Sequence, residues 1–524
     1  MPIINVREIG SMGVISDIAP WDLPPSALTD GMNFRASNGK IISCGGVSDS
    51  SGGAMGHVWG LVDQSTDFDQ NSLWVLMGND AVKVFDGTST RDIDENITFP
   101  GPLTNPERWS SCHLGAMTVM NHPGWFPIYW EDRDGAVEYA DMLPWSPGKL
   151  WSDVNYSTHC IRAHKNFLFA LGMDEGGDVF HDKVRWSHPA EPNGIPYTWE
   201  TPDVDPSSIA GYLSLGRGGR IVGGESLRDS FMIYSDEAVN VLDYVGDAFG
   251  WRRRTLSGEV GLIGKEAIKE INGKHFFISH DDILVSDGNS VESLLHNKLR
   301  NRLGNTINAD ARKNSWVAHN QTFSEVWFGI PEEESPFPNV AYVFNYRDGT
   351  WALRDLEKPF RHARFGNQPT TFDYRAWTDY TETDWPRGQA SWHLAGNQPF
   401  NGTLFGVSDE TVYNLDPQLP DEPATSFIQR TDMPIGGHEA NTTITRVYPL
   451  IEGSSEVEIR LGSQQYAGGQ VRWAGGWKTF RPGVDRKIDI RTTGELHAYE
   501  IRAKGTGFFK LTGLDVEFSL AGGR

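Results

Sequence analysis

Three cysteines in 524 residues are too few, and too scattered, to hold a fold together. Cys44, Cys112 and Cys160 are odd in number and form no Cys-x-x-Cys pair, so neither a disulfide scaffold nor a structural zinc site is expected, and synthesis in a reducing compartment fits. Long apolar runs are missing as well. No stretch approaches the roughly 18 uninterrupted apolar residues of a membrane span. The opening Met1-Pro2-Ile3-Ile4-Asn5-Val6-Arg7-Glu8 has no basic segment followed by an apolar one, so neither a membrane anchor nor secretion is expected. The sequons Asn155-Tyr156-Ser157 and Asn441-Thr442-Thr443 then carry no weight. Helical periodicity is scarce, its best case being the short segment Val291 through Leu299. Positive charge is in deficit: 46 Lys and Arg face 69 Asp and Glu, a net charge of −23. A field of that sign opposes the ordinary grip on nucleic acid, in which basic side chains replace the counterions condensed on phosphate. The run Arg252-Arg253-Arg254 reads as a solvated edge or a set of ion pairs.

Signatures of catalysis are also absent. There is no His-Glu-x-x-His and no EF-hand spacing, and His113 and His122 lack a third ligand at metal spacing, so no metal and no cofactor is expected. The glycine-rich run from Gly216 to Gly224 lacks a Gly-Lys-Ser/Thr ending and reads as a loop entering a strand. Two acidic stretches lie beside aromatic or proline residues: Glu131-Asp132-Arg133-Asp134 after Trp130, and Glu332-Glu333-Glu334 after Pro331. Paired carboxylates can hydrolyse a glycosidic bond, but each stretch reads equally as a solvated turn. Asp348-Gly349-Thr350-Trp351 resembles the Asp-box of sialidases superficially and occurs once. No nucleophile elbow is present. No catalytic residue is assigned, and the chain is not expected to be an enzyme.

What the chain does have is a repeat. Four times an apolar strand runs into an acidic turn and returns as an alternating strand that stops at another aspartate. The copies are Leu73-Trp74-Val75-Leu76 with Val82-Lys83-Val84, Phe231-Met232-Ile233-Tyr234 with Val239-Asn240-Val241, Phe276-Phe277-Ile278 with Ile283-Leu284-Val285, and Leu404-Phe405 with Val412-Tyr413-Asn414-Leu415. Looser relatives start at Met117, Phe167 and Val326, so the seven starts are spaced by about 44, 50, 64, 45, 50 and 78 residues. One propeller blade takes roughly 40 to 50 residues. With 57 glycines and 29 prolines to make tight turns, the expected class is all-β, a β-propeller with an additional C-terminal β-sandwich-like domain. A large β-sandwich with similar hairpins is the alternative.

Residues 1–54 read as an extended lead-in with a hairpin over Asn38-Gly39, a strong two-residue turn signal, and such a lead-in can supply the strand that closes a ring. The propeller region is expected over 55–420, with a Trp-rich insertion near 365–399 that carries Trp377, Trp385 and Trp392. The composition changes at Pro417 to Pro423. Beyond it, over 424–524, Val457, Ile459 and Leu461, then Ile488 and Ile490, alternate with charged residues, as on strands with one wet and one dry face.

Three stretches together resemble the tail nozzle proteins of short-tailed bacteriophages, a group that includes packaged-DNA stabilisation proteins and the second tail-tube component. They are Asp22-Leu23-Pro24-Pro25-Ser26 through Asn33-Phe34-Arg35 with Asn38-Gly39-Lys40-Ile41; Val184-Arg185-Trp186-Ser187-His188-Pro189 with Pro196 and Trp199; and Thr493 through Tyr499 with Leu511 through Glu517 and the ending Gly522-Gly523-Arg524. The resemblance implies a structural virion protein, assembled in the host cytoplasm into a six-copy ring. That ring would sit below the portal and head-tail adaptor, beside tail fibre, tailspike or needle proteins. It would pass DNA without sequence-specific binding and help retain the packaged genome. It carries over no catalytic residues. Glu332, Glu333 and Glu334 are the candidate channel-lining residues, with an ordinary outward-facing loop as the alternative. The rival function is a virion-associated glycan-binding or glycan-hydrolysing propeller, in which the tryptophans of 377–392 would stack on sugars.

Overall fold

The computed structural model describes residues 2–50, 58–65, 72–79, 81–85, 89–99, 109–131, 139–216, 219–246, 250–367, 402–417, 425–436, 440–504 and 508–523. Trp377, Trp385 and Trp392, and Asp132 to Asp134, lie outside them. Among the described residues the chain forms seven four-stranded antiparallel sheets, two six-stranded ones and a two-stranded ribbon of Pro144–Ser146 and Lys149–Leu150. The seven are blades. Their innermost strands are Val58–Ser65, Ser110–Leu114, Tyr156–His164, Ile221–Leu227, Ile268–Ile271, Trp316–Asn320 and His362–Asn367.

Each of the seven hairpins seen in the sequence is the second and third strand of one blade. Val75 faces Val84, Phe276 faces Val285 and Phe405 faces Asn414 across their ladders. The reason for the apolar first arm is geometric. The second strand of a blade has a neighbouring blade on both faces, so Met117–Asn121 and Glu325–Ile330 are buried along their whole length. The repeat's aspartates are used differently: Asp287 accepts the backbone N–H groups of Asn289 and Ser290 in its turn, both at 2.8 Å, while Asp243 pairs with Arg254 and Asp409 with Arg361.

Apolar clusters join each blade to the next around the circle, and the last to the first. Val58, Leu61 and Trp74 of the first blade pack with Phe405 and Val407 of the seventh. Closure uses the N-terminal segment. Ser48–Asp49 forms the fourth strand of the seventh blade, Asp49 opposite Tyr413 and Ser48 opposite Asn414, as expected of the lead-in.

The two six-stranded sheets form the sandwich. One contains Phe34–Ser37, Lys40–Ser43, Phe509–Gly523, Ala440–Gly453 and Ile488–Gly494, with Ile3–Arg7 added along Phe509–Gly523. The other contains Asp30–Met32, Phe427–Pro434, Leu496–Lys504, Glu456–Gln464 and Arg472–Trp473, with Lys478–Phe480 also on Glu456–Gln464. Ile488–Gly494 alternates buried and exposed without a break. The hairpin over Asn38-Gly39 is present, both residues at positive φ (51° and 71°), but it belongs to the sandwich. The first 43 residues are therefore part of the same body as residues after 424.

The helix expected over Val291–Leu299 is not there. Val291–Ser293 is the outer strand of the fifth blade, and the helix runs over Arg300–Thr306. Leu295, Leu299 and Leu303 are all buried, so the apolar spacing that suggests a helix is met by a turn whose leucines plug the core. Among the described residues no helix is long and apolar enough to cross a membrane.

A buried ionic cluster locks the sandwich to the ring. Arg35 Nη2 reaches Asp416 Oδ2 at 2.7 Å and Glu325 Oε2 at 3.1 Å, and its Nε donates to Glu325 Oε1. Arg354 Nη2 donates to Asp416 Oδ1 at 2.5 Å, Asn320 Nδ2 to Asp416 Oδ2 at 2.9 Å, and Trp327 Nε1 to Glu325 Oε2 at 3.1 Å. Around it Asn33 N donates to Leu353 O at 2.8 Å, and Thr350 Oγ1 to Ala36 O at 3.1 Å. Removing one member leaves buried charge without a partner. Arg35→Met is expected to lower the unfolding free energy by about 3–5 kcal/mol. Chemical denaturation measures this, and an unchanged midpoint would mean that the cluster does not join the two parts.

Candidate functional site

Seven inner strands surround one central cavity of about 540 Å3. Every blade contributes polar side chains: Asp63, His113, Arg162, Glu225, Glu266 with Lys269, His319, and His362 with Arg364. Inner strands of a closed ring run in parallel, so residues at equal depth form layers. Two are visible in the hydrogen bonding.

The first layer is a tie across the ring. Arg162 Nε donates to Gly224 O at 3.2 Å, Nη1 to Ser111 O at 3.4 Å, and Nη2 to Lys265 O at 3.1 Å and Glu266 Oε1 at 2.9 Å. Glu266 Oε2 lies 3.4 Å from His362 Nε2. Since His362 Nδ1 accepts the Leu61 N–H, also at 3.4 Å, the proton sits on Nε2 and points at the carboxylate. One guanidinium, one carboxylate and one imidazole thus connect six of the seven blades. Burial acts to raise the Glu266 carboxyl, but Arg162 and His362 together hold it well below the usual carboxylate range. A carboxylate held ionised in this way is not a general acid.

One step along the strands lies the second layer. Arg364 Nε pairs with Asp63 Oδ1 at 3.1 Å. His113 is pushed down to about 4 by burial and by Arg364, and His319 to about 4 by burial and by Lys269, so both imidazoles are neutral near pH 7. Burial and Arg364 also lower Lys269. Cys112 lines the cavity, but burial raises its thiol to about 12, which leaves it protonated and unreactive. Cys44, Cys112 and Cys160 are all free thiols. Setting Asp63, Glu225, Glu266 and Glu270 against Arg162, Lys269 and Arg364 leaves the cavity close to neutral in a chain of −23. Among the described residues no group of three or more His, Cys, Asp or Glu side chains is arranged to hold a metal ion.

The acidic triplet lies elsewhere, in the loop between the second and third strands of the sixth blade, and does not line this cavity. Its members differ. Glu332 is buried and accepts from Thr306 Oγ1 and Tyr342 Oη, both at 2.7 Å, while Glu333 and Glu334 are exposed. Of the basic run, Arg254 pairs with Asp243 at 3.1 Å and Arg253 donates to Leu215 O at 2.5 Å, whereas Arg252 is exposed. The tie through Arg162, Glu266 and His362 had no signature in the sequence, because its members lie 96 to 104 residues apart and share no spacing. No family model and no curated protein matches the chain.

Two outcomes follow from these positions. Glu266 binds its proton less readily folded than unfolded, where a glutamate titrates near about 4.3. The stability it adds is therefore complete above that value and lost as pH falls below it. Urea midpoints of wild type and Glu266→Gln should differ most at pH 7, and the gap should begin to narrow as pH falls below about 4; a constant gap down to about pH 3 would refute the assignment. In the triplet, Glu332→Lys should cost about 2 kcal/mol or more through lost buried hydrogen bonds. Glu333→Lys and Glu334→Lys should leave the melting temperature within about 1 °C.

Proposed function

We propose that the chain is a structural virion protein, the nozzle of a short phage tail, which assembles into a six-copy ring around a conduit for DNA. The observation that carries this reading is the meeting of the two terminal stretches that resemble nozzle proteins. Residues 22–41 and 493–524 lie about 470 residues apart, yet Phe34–Ser37, Lys40–Ser43 and Phe509–Gly523 are neighbours in one sheet. The two terminal stretches of the resemblance thus share one structural unit. Its third stretch forms the third strand of the third blade and the turn that carries Trp199, stacked against Trp145.

A cavity of about 540 Å3 is of small-molecule size, so a conduit for a duplex has to lie between copies and not through the propeller. Six copies at −23 carry on the order of −140 charges, which disfavours steady contact with phosphate except within roughly a Debye length of screening ions, near 8 Å. Glu333 and Glu334, exposed at a hairpin end, remain candidates for the mouth or wall of that conduit, and the buried Glu332 positions their loop. Portal, adaptor and fibre or spike proteins are the partners this role requires.

A glycan-binding or glycan-hydrolysing propeller is the second reading, favoured by one observation: Asp63, Glu225 and Glu270 line an open central cavity. Its test is cleavage of, or binding to, capsule or lipopolysaccharide.

Electron microscopy of the purified chain with its adaptor is expected to give a closed ring of six. A chain that stays monomeric with its adaptor, or that binds duplex DNA tightly with a steep salt dependence, overturns the conduit.

A further inference from the structure

Between the third and fourth blades, where their inner strands begin, a second pocket of about 130 Å3 opens. Three basic side chains converge on it from separate places: His159 on the inner strand of the third blade, His181 on its third strand, and Arg220 at the entry to the fourth. None of these three side chains has a hydrogen bond or an ion pair among the described residues.

The surroundings add more positive charge. The charged groups that act on His159 are Lys265, Arg220, His181 and Arg162, and all are bases. Lys265 Nζ is turned to the His159 carbonyl at 3.1 Å, and Arg162 is committed to Glu266. Three carboxylates stand near. Asp236 donates its backbone N–H to the Arg220 carbonyl at 3.0 Å, and its Oδ1 lies against Gly219. Asp174 lines the pocket but accepts the Gly177 N–H at 2.8 Å, and Asp182, beside His181, accepts from Ser214 Oγ and from the Gly216 N–H at 3.0 Å. His159, His181 and Arg220 thus share one concavity, and among the described residues none of them forms an ion pair with these carboxylates.

The backbone is shaped for it as well. The ladder between the inner and second strands passes Gly172, which has φ of +69°, and the register with the third strand shifts between Leu171 and Met173. A Cβ at Gly172 would come within 3.2 Å of His159 Cβ. Glycine at 172 thus leaves room for the His159 side chain, and the irregularity falls opposite the strand that carries His181.

We propose that this pocket binds a small oxyanion, a phosphate or a carboxylate group, which accepts hydrogen bonds from the Arg220 guanidinium and from ring N–H groups of His159 and His181. The guanidinium supplies a planar fork of donors matched to such oxygens. At about 130 Å3 the pocket holds one such group and excludes a nucleotide or a sugar ring, which take several hundred Å3. Burial, with Lys265, Arg220, His181 and Arg162, pushes His159 down to about 2, so the empty pocket holds it neutral. An anion reverses that balance, and binding takes up protons and tightens as pH falls. The pocket belongs to a single chain, so its occupancy is independent of ring assembly.

Calorimetric titration of the full chain at low salt tests this, with inorganic phosphate, sulfate and acetate as separate probes at pH 6 and pH 7. Saturable one-site binding of at least one probe is expected, tighter at pH 6, with proton uptake read from buffers of different ionisation enthalpy. Arg220→Gln should weaken it about tenfold, the loss of roughly one charge-assisted hydrogen bond. Arg220 is exposed, so this variant keeps its fold, and Arg252→Gln, exposed on the fourth blade's outer strand, should bind as wild type does. Phosphate and sulfate binding without acetate identifies a tetrahedral ligand, and acetate binding identifies a carboxylate. No saturable heat with any probe up to about 10 mM, or equal losses in the two variants, would overturn the proposal.

Discussion

Four buried charges at one joint condition the rest of this molecule. Arg35 and Arg354 face Glu325 and Asp416, and all four side chains are buried. Burial opposes each of these charges, raising the Glu325 carboxyl and lowering the Arg354 guanidinium, while the facing partners hold Asp416 below the usual carboxylate range and Arg35 above its ordinary value. The partners come from the lead-in, from two strands of the sixth blade and from the end of the seventh, and Arg35 is 381 residues from Asp416. No one of these elements can be completed alone. The sandwich, the last blade and the closing strand Ser48–Asp49 are therefore bound together by contacts of high sequence separation.

The same economy of charge runs through the ring. A chain of −23 keeps its interior close to balance: the tie through Arg162, Glu266 and His362 consumes each charge it buries, and Asp63 is spent on Arg364. Excess negative charge is left to the surface, where solvent and salt reduce its cost. Against that background His159, His181 and Arg220, which form no ion pair among the described residues, are the exception, which is why we propose an outside anion for their pocket and not for the larger central cavity.

The architecture also separates two roles that a propeller often combines. The central cavity is too small for a nucleic acid duplex and is crossed by hydrogen bonds from blade to blade, so it serves the ring's rigidity. Any work on a large partner falls to the outer faces and to the sandwich.

The sequence alone determined the repeating unit. Each of the seven hairpins legible in the sequence is the middle of one blade, because the second strand of a blade is buried on both faces and must be apolar; the number of blades was settled by the sheet pairing. The alternation of the last hundred residues and the Asn38-Gly39 turn were legible because both are set by neighbours in the chain. Tertiary structure decided what depends on distant partners. It turned Val291–Leu299 from a helix into a strand and a turn, joined the first 43 residues to the last hundred, and set Glu332 apart from Glu333 and Glu334. Arg35, Arg162 and Arg220 look alike in the sequence; one locks a joint, one ties a ring and one stands unpaired. A side chain's charge is written in the sequence, while its counter-charge is chosen by the fold.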